Sequence, residues 1–414
     1  MRSGNPAELH RALGLLDAVG IGFGAIVGAG IFVVTGVAAG VAGPSLVVAF
    51  AVAGAAATAN ALSSAQLAAV YPYAGGSYEY GYRLLGAWPG YIAGWMFLAS
   101  KTAAAGTVAI GLGGYLGALV PGLPPRAVGV GAIVLFTLLN LFGVKRTSTA
   151  NLVIVAVSVG ALLTFVAFAA DDITRTRFEP FAPAGMSGVM RAAALLFFAY
   201  TGYARIATLG EEVRQPERTI PRAVIITITG AILLYAAVAT VALGTAGAAA
   251  LAETAAPLHI AASATPHDWL PPLVAAGGLA AMLGVVLSQI LGLSRMSFAM
   301  ARRNDLPEIL SRVDDRGVPR AAVMVVGAVA AVVAATGALD AVAAAAALTI
   351  LVYYGITNVA ALRLGAAERW LPAWVPAFGA LACATLALSL DLRTIVIGLA
   401  VLMAGVLARV LQHR

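Results

Sequence analysis

Two stretches of the chain could do chemistry with main-chain atoms rather than side chains. The first reads Gly20-Ile-Gly22-Phe-Gly24-Ala-Ile-Val-Gly28-Ala-Gly30-Ile-Phe, and the second Phe197-Phe-Ala-Tyr200-Thr-Gly202-Tyr203. Both lie inside apolar runs. An unwound turn in such surroundings exposes amides and carbonyls, which are tolerated only where they line a cavity or meet a ligand. Amides that open a half-helix carry positive partial charge suited to a carboxylate. Carbonyls that close one suit an ammonium or a metal cation. Together they describe a site for a zwitterion. The glycines have a second reading, because Gly20, Gly24, Gly36 and Gly40 recur at multiples of four and make a smooth strip for close helix packing. Gly28 and Gly30, flanking Ala29, are assigned to the unwound site because the second break supplies a partner. The GxGxxG look is spurious, since no βαβ unit or acidic ribose partner accompanies it.

Few side chains compete with this backbone. Lys101, in Leu98-Ala-Ser-Lys-Thr-Ala, sits well inside an apolar segment. An intramembrane lysine is expensive and is by default a functional candidate, here as a carrier of a movable proton. The bland alternative is a lysine that snorkels to the interface. Arg205 follows the second break by three residues and either lines an inner vestibule or, as the structural reading favours, pairs with Glu212, two turns on along the same face. Asp17 reads as part of an inner gate or as an interfacial cap. Glu211 and Glu212 fall at a helix C-terminus, where the dipole opposes them; with Arg214, Arg218 and Arg222 they form a structural or gating ion network. Two cations and no acid within the spans argue against a dibasic substrate and favour a neutral amino acid over an acidic one.

The elements that must hold these residues follow from composition. Of 414 residues, 61% are hydrophobic and 10% charged, too few charges to cover a soluble surface. From Ala18 to Tyr78, 61 consecutive residues lack Asp, Glu, Lys and Arg, with further such runs of 30 at Ala223–Ala252 and 26 at Trp269–Ser294. At ~20 residues per bilayer crossing, the chain reads as a polytopic helical membrane protein. Pro, Gly and charge clusters divide it into twelve spans. The first six are Leu15–Val41, Leu46–Val70, Trp88–Leu119, Val128–Phe142, Leu152–Ala170 and Val189–Leu209. The rest are Ala223–Ala246, Leu273–Ala299, Ala321–Thr336, Val342–Leu362, Val375–Leu390 and Thr394–Leu411.

With the N-terminus in the cytoplasm, the basic residues outside are Arg126, Arg175, Arg177, Arg191 and Arg393, and the remaining 19 of the 25 besides Lys101 face inward. That bias places both termini inside, and it makes the +7 net charge a topology signal rather than a sign of nucleic-acid binding. The breaks lie in the first and sixth spans, so residues 1–170 and 171–365 are expected to form two repeats of five spans. An odd number of spans per repeat inverts one against the other. Residues 366–414 supply two peripheral spans. The N-terminus lacks the apolar run of a cleaved signal. Cys383 is the only cysteine, and His10, His259, His267 and His413 all lie in loops or tails, so intramembrane metal, haem or triad chemistry lacks its residues. No cofactor or metal site is expected. An inorganic-cation carrier and a transport-related sensor remain as rival classes.

Five stretches in order resemble the amino acid–polyamine–organocation (APC) superfamily of permeases. They are Gly24–Phe32; Tyr71-Pro-Tyr-Ala-Gly-Gly-Ser-Tyr-Glu-Tyr80; and Phe197–Tyr203 with Glu211, Glu212, Ile220 and Pro221. The others are Ser294–Arg302 with Leu306 and Pro307, and Thr349 through Tyr353 to Arg363. The resemblance implies a five-plus-five inverted-repeat core, two peripheral helices, and secondary transport of amino acids or related amines by alternating access. It also implies a membrane partner and a coupling ion, H+ or Na+. By position it assigns the substrate carboxylate to the stretch Ile26, Val27, Gly28, Ala29, Gly30 and Ile31. It assigns the amine to the carbonyls of Phe198, Ala199 and Tyr200 around Gly202, with the Tyr200 or Tyr203 ring closing the site. Tyr71–Arg83 is similar to the family's cytoplasmic amphipathic connector. Proton-coupled relatives often carry a lysine seven residues after the asparagine that is here Asn151; this chain has Ser158. Ser158 is therefore expected either to help Ser288 hold sodium or to bond a carbonyl one turn back. Lys101 is the candidate for the missing movable charge.

Overall fold

A computed structural model describes residues 13–71, 75–142, 148–207, 213–315 and 317–412, and those residues are helical with no strand beyond an isolated bridge between Leu13 and Val213. Helices α1 (Leu15–Ile26) and α2 (Thr35–Ala42) are two halves of one interrupted rod, followed by α3 (Leu46–Val70) and the short α4 (Ser77–Leu84). Next come α5 (Ala87–Leu119), α6 (Pro125–Leu141), α7 (Ser148–Ala169), α8 (Gly185–Tyr200) and the single turn α9 (Ala204–Ala207). The rest are α10 (Pro216–Ala246), α11 (Ala248–Ala252), α12 (Pro257–Ser263), α13 (Leu270–Arg302), α14 (Arg320–Thr336), α15 (Leu339–Leu362), α16 (Trp374–Leu388) and α17 (Leu392–Gln412).

Helical structure occurs in every segment expected from the sequence. Seven helical stretches among the described residues are long and apolar enough to cross a membrane: Leu15–Val70, Ala87–Leu119, Ala150–Asp172, Pro216–Ala246, Leu270–Arg302, Leu339–Leu362 and Leu392–Gln412. Three shorter apolar helices, α6, α14 and α16, accompany them. Proline in the first turn of α6, α10, α12 and α13 starts those helices where its missing N–H costs nothing. Gly43, at φ 62°, reverses the chain between α2 and α3, a left-handed turn that glycine adopts without strain.

Small residues bring the rods together. A methyl group on Gly113 would lie 1.9 Å from the Pro125 carbonyl oxygen, and one on Gly129 2.4 Å from that of Ala109, so α5 and α6 cross almost backbone to backbone. The strip expected on the first span does pack: Gly20 faces Leu152, Gly24 faces Asn151, Gly36 faces Leu251 and Pro257, and Gly40 faces Ala252. The central rods α1, α2, α3, α5, α8, α10, α13 and α15 hold most of the buried side chains. By contrast α7, α14, α16 and α17 turn Val153, Leu163, Val329, Val332, Leu381, Leu388, Leu399 and Met403 outward. Apolar side chains facing out from fully hydrogen-bonded helices match a hydrocarbon surrounding.

Two details go beyond the sequence expectation. The connector helix α4 is packed, not merely laid on a surface: Ser77, Tyr78, Glu79, Tyr80 and Gly81 are buried. The link between α10 and α13 folds into α11 and α12, which cover α2, and Tyr115 on α5 ties this cover down by accepting from the Leu258 amide at 3.3 Å.

Candidate functional site

Both expected breaks are present. α1 ends at Ile26, Val27 is extended at φ −74° and ψ 103°, and the rod resumes through Ala29 into a wide π-type turn at Gly30–Val34 before α2. α8 ends at Tyr200 and passes through a tight 3-10 turn, Thr201–Tyr203, into α9. The breaks touch each other. A methyl on Gly202 would lie 2.3 Å from the Ala25 carbonyl carbon and 2.4 Å from the Ile26 nitrogen. A methyl on Gly30 would lie 2.4 Å from the Ala199 Cα. The opposing atoms are backbone, which cannot turn aside, so glycine at both positions is what lets the two unwound segments meet. Gly28 rests against the Val285 side chain of α13.

The carbonyls freed by the breaks are taken up mainly by buried tyrosines. Tyr235 on α10 donates to the Ile26 carbonyl at 2.8 Å and lies 3.4 Å from that of Ala199, so one hydroxyl spans both breaks. Tyr354 on α15 donates to the Thr201 carbonyl at 3.1 Å, and Tyr115 to that of Phe32 at 2.7 Å. The Phe198 carbonyl accepts from the Thr201 hydroxyl at 2.9 Å. A buried carbonyl without a donor is costly, which is why these hydroxyls converge here. The amides of Gly28, Ala29 and Gly30 open the second half-helix, where no preceding turn accepts from them. Donors and acceptors thus stand side by side at one junction.

Aromatic rings wall the junction. Tyr200, Tyr235 and Phe50 pack with centroids 5.2 to 6.4 Å apart, and the Tyr200 hydroxyl donates to the Phe50 carbonyl at 3.3 Å. Tyr203 lies beside Tyr354 at 5.4 Å, and Phe197 beside it at 5.8 Å. Tyr354 is held from behind: its carbonyl accepts from Asn358 at 2.9 Å, Asn358 bonds Asn60 of α3, and the Cys383 thiol donates to Asn60 at 3.4 Å.

The other expected residues are spread wider. Lys101 is half-buried in the middle of α5, its ammonium 5.9 Å from the Phe97 ring centroid, and that ring packs on Tyr353. The Ser158 hydroxyl donates to the Ile154 carbonyl at 2.7 Å and that of Ser288 to the Val285 carbonyl at 3.0 Å, bonds that use each hydroxyl's proton and not its oxygen's lone pairs. The Asp17 carboxylate accepts from the Gly14 amide at 3.0 Å, capping α1. Arg205 has its backbone in α9, while Glu211 and Glu212, and with them the expected pairing with Arg205, lie outside the described residues.

Charge collects at the two ends of the molecule instead. At the Leu15 end, Glu79 on α4 bonds Arg83 at 2.6 Å and Arg303 at 2.5 Å. Asp305, 2% exposed, accepts from Tyr78 at 2.8 Å and Tyr82 at 2.5 Å and pairs with Arg409 of α17 at 3.1 Å. The Arg409 guanidinium lies 4.6 Å from the Tyr91 ring centroid and 5.0 Å from that of Trp88. Burial, and then the bond to Asp305, push the Tyr82 hydroxyl up to about 12, so it stays a protonated donor. At the Gly43 end a cavity of about 510 Å³ opens between α2, α8, α15 and α17, with Arg191, Asp340, Asp391 and Arg393 on its wall. Arg191 and Asp391 pair there at 2.9 Å. Burial draws the Asp391 carboxyl up, but the Thr394 amide and hydroxyl and Arg191 outweigh it and hold it below the ordinary aspartate range.

The sequence of this chain agrees with an "Amino acid permease" family model from residue 17 to residue 410, and so through both breaks and every packed helix described above. The chain belongs to the amino acid permease family. Transporters of that family, and not enzymes, are what it resembles throughout. An uncharacterised transporter of Mycobacterium tuberculosis is 42% identical over 406 residues, covering 97% of this chain and 91% of that one. The branched-chain amino acid permease BcaP of Bacillus subtilis is 30% identical over 436 residues, covering 98% and 94%. A vacuolar cationic amino acid transporter of Arabidopsis thaliana is 28% identical over 355 residues, covering 80% and 59%.

Within this amino acid permease the sequence reading missed the residues that finish the junction from other helices: Phe50, Tyr115, Tyr235, Val285 and Tyr354. For the three tyrosines the signal in the sequence was faint, a mid-span hydroxyl that must find a partner in hydrocarbon; Phe50 and Val285 carried none. It also missed Asp305 and Arg409, which belong to segments that read separately as a loop and a helix end.

Proposed function

We propose that the protein carries neutral amino acids across the cell membrane by alternating access, coupled to protons or working as an exchanger. The observation that carries this reading is the contact between the Gly28–Gly30 break and the Ala199–Gly202 break in an amino acid permease. The substrate carboxylate bonds the amides of residues 28–31, and its ammonium meets the carbonyls of Ile26 and Ala199, with Phe198, Tyr200, Gly202 and Tyr203 completing the site. Twelve crossings form the fold, residues 1–170 and 171–365 being inverted repeats and 366–414 the periphery. The Leu15 end faces the cytoplasm with both termini, as the basic residues argue. The Gly43-end cavity is then the outer vestibule. Lys101 is the proposed coupling charge, with Ser158 and Ser288 as the alternative, sodium-holding pair. Asp17, Arg205, Glu211 and Glu212 are placed on the inner gate.

Side-chain preference follows from charge. Among the described residues, the acids in the long rods sit in their first turns, at Asp17, Glu217 and Asp340, far from the junction. A cationic side chain would find aromatic rings and no counter-charge. The relative named for branched-chain amino acids supports a neutral substrate; the relatives named as cationic transporters favour the second reading, an arginine-like substrate. Counterflow in proteoliposomes preloaded with leucine separates them. Labelled leucine is expected to accumulate, with alanine but not arginine competing. Counterflow supported by arginine alone, or uptake of potassium alone, would overturn the proposal.

A further inference from the structure

The Tyr235 hydroxyl stands where the site proposed above needs an ammonium. It donates to the carbonyl of Ile26, the last residue of α1, and lies within 3.4 Å of the carbonyl of Ala199, at the end of α8. Both oxygens close a half-helix and carry its negative partial charge. A phenol has one proton to give, so it satisfies one of the two at a time, whereas an ammonium has three and satisfies both. Tyr235 is fully buried, and its ring is fixed by Phe50 and Tyr200, at 5.9 and 5.2 Å, so the hydroxyl is aimed and not there by chance.

We propose that Tyr235 is a stand-in for the substrate amine. Its hydroxyl occupies the paired carbonyls when the carrier is empty and yields them when an amino acid binds. The inference rests on the amino acid site proposed above and adds a consequence. Exchange cycles only loaded carriers, whereas net uptake requires the empty carrier to return across the membrane with its carbonyls buried. The hydroxyl lets that return proceed without bare acceptors. Removing it raises the barrier to the empty carrier's return and leaves the loaded carrier untouched.

The test is leucine transport in proteoliposomes by wild type and Tyr235→Phe, with leucine inside to read exchange and without it to read net uptake. Loss of one neutral hydrogen bond from the returning empty carrier predicts net uptake slowed by about fivefold, with exchange within about twofold of wild type. Tyr235→Met, which also lacks the hydroxyl, gives the same readout if the phenylalanine variant is not recovered folded. A tyrosine that merely packs would leave the ratio of exchange to net uptake unchanged, and that result overturns the proposal. Wild-type vesicles that exchange no amino acid would instead overturn the site itself, and the inference with it.

Discussion

At the junction of the broken helices the polar contacts are neutral ones, tyrosine hydroxyls on carbonyls at 2.7 to 3.4 Å. At the Leu15 end the polar contacts are charged, with Asp305 and Arg409 nearly buried among Tyr78, Tyr82, Trp88 and Tyr91, and Glu79 held by Arg83 and Arg303. Both regions keep polar groups away from water, but the energies differ. A neutral hydrogen bond contributes about 1 kcal/mol net. Removing one partner of a buried ion pair costs about 3–5 kcal/mol. The first kind can be exchanged for contacts to a ligand at each turnover, and the second cannot. The charged end therefore ties α4, α5, the end of α13 and α17 together, and in the proposed cycle the neutral junction is the part that rearranges.

Variants that move each region toward the other's behaviour test this contrast. The largest effect belongs to Asp305→Ala, which strands Arg409 without its counter-charge; a stability loss of about 3–5 kcal/mol is expected, read as thermal unfolding in detergent. A melting temperature equal to wild type would mean that the end is not a fixed body. Gly202→Ala comes next, because its methyl meets the Ala25 backbone and must part the two breaks. Leucine transport should fall more than tenfold in protein that still folds, and normal uptake would show that the close approach is dispensable. Lys101→Ala should abolish the pH dependence of uptake while leaving exchange measurable; full pH dependence in this variant removes Lys101 from coupling.

Smaller effects probe the edges of both regions. Tyr354→Phe leaves the Thr201 carbonyl without its donor and should slow transport a few-fold, for a loss of about 1 kcal/mol. Arg191→Gln breaks an ion pair at the cavity mouth that is partly open to water, and should change stability by less than about 1 kcal/mol, with the difference vanishing in high salt. Because the folded protein holds Asp391 below its ordinary value, the stabilising contribution of this carboxylate is present above the unfolded pKa of about 4 and is lost as pH falls through the folded one. Thermal stability across pH 5–8 should therefore be flat with respect to this pair.

The helices were legible in the sequence because hydrocarbon demands long uncharged runs, and the breaks because Gly28, Gly30 and Gly202 sit in such runs without a helix's need for them. What the sequence could not show is which distant side chain answers an exposed carbonyl. Tyr235 is 209 residues from Ile26 and Tyr354 153 from Thr201, so only the packing of α10 and α15 brings them in. Asp305 and Arg409 were hidden for the same reason: each reads alone as an interfacial charge, and their pairing depends on where α17 ends against α13. Gly20 and Gly24 on α1, and Gly36 and Gly40 on α2, were readable as packing positions because a spacing of four is a local property of each helix.

The most direct test is a structure of the protein with leucine bound. The account predicts leucine at the junction, its carboxylate on the amides of residues 28–31, its ammonium on the carbonyls of Ile26 and Ala199, and the Tyr235 hydroxyl turned away from both. Leucine bound instead in the Gly43-end cavity between Arg191 and Asp340, with Tyr235 still on Ile26, would contradict it.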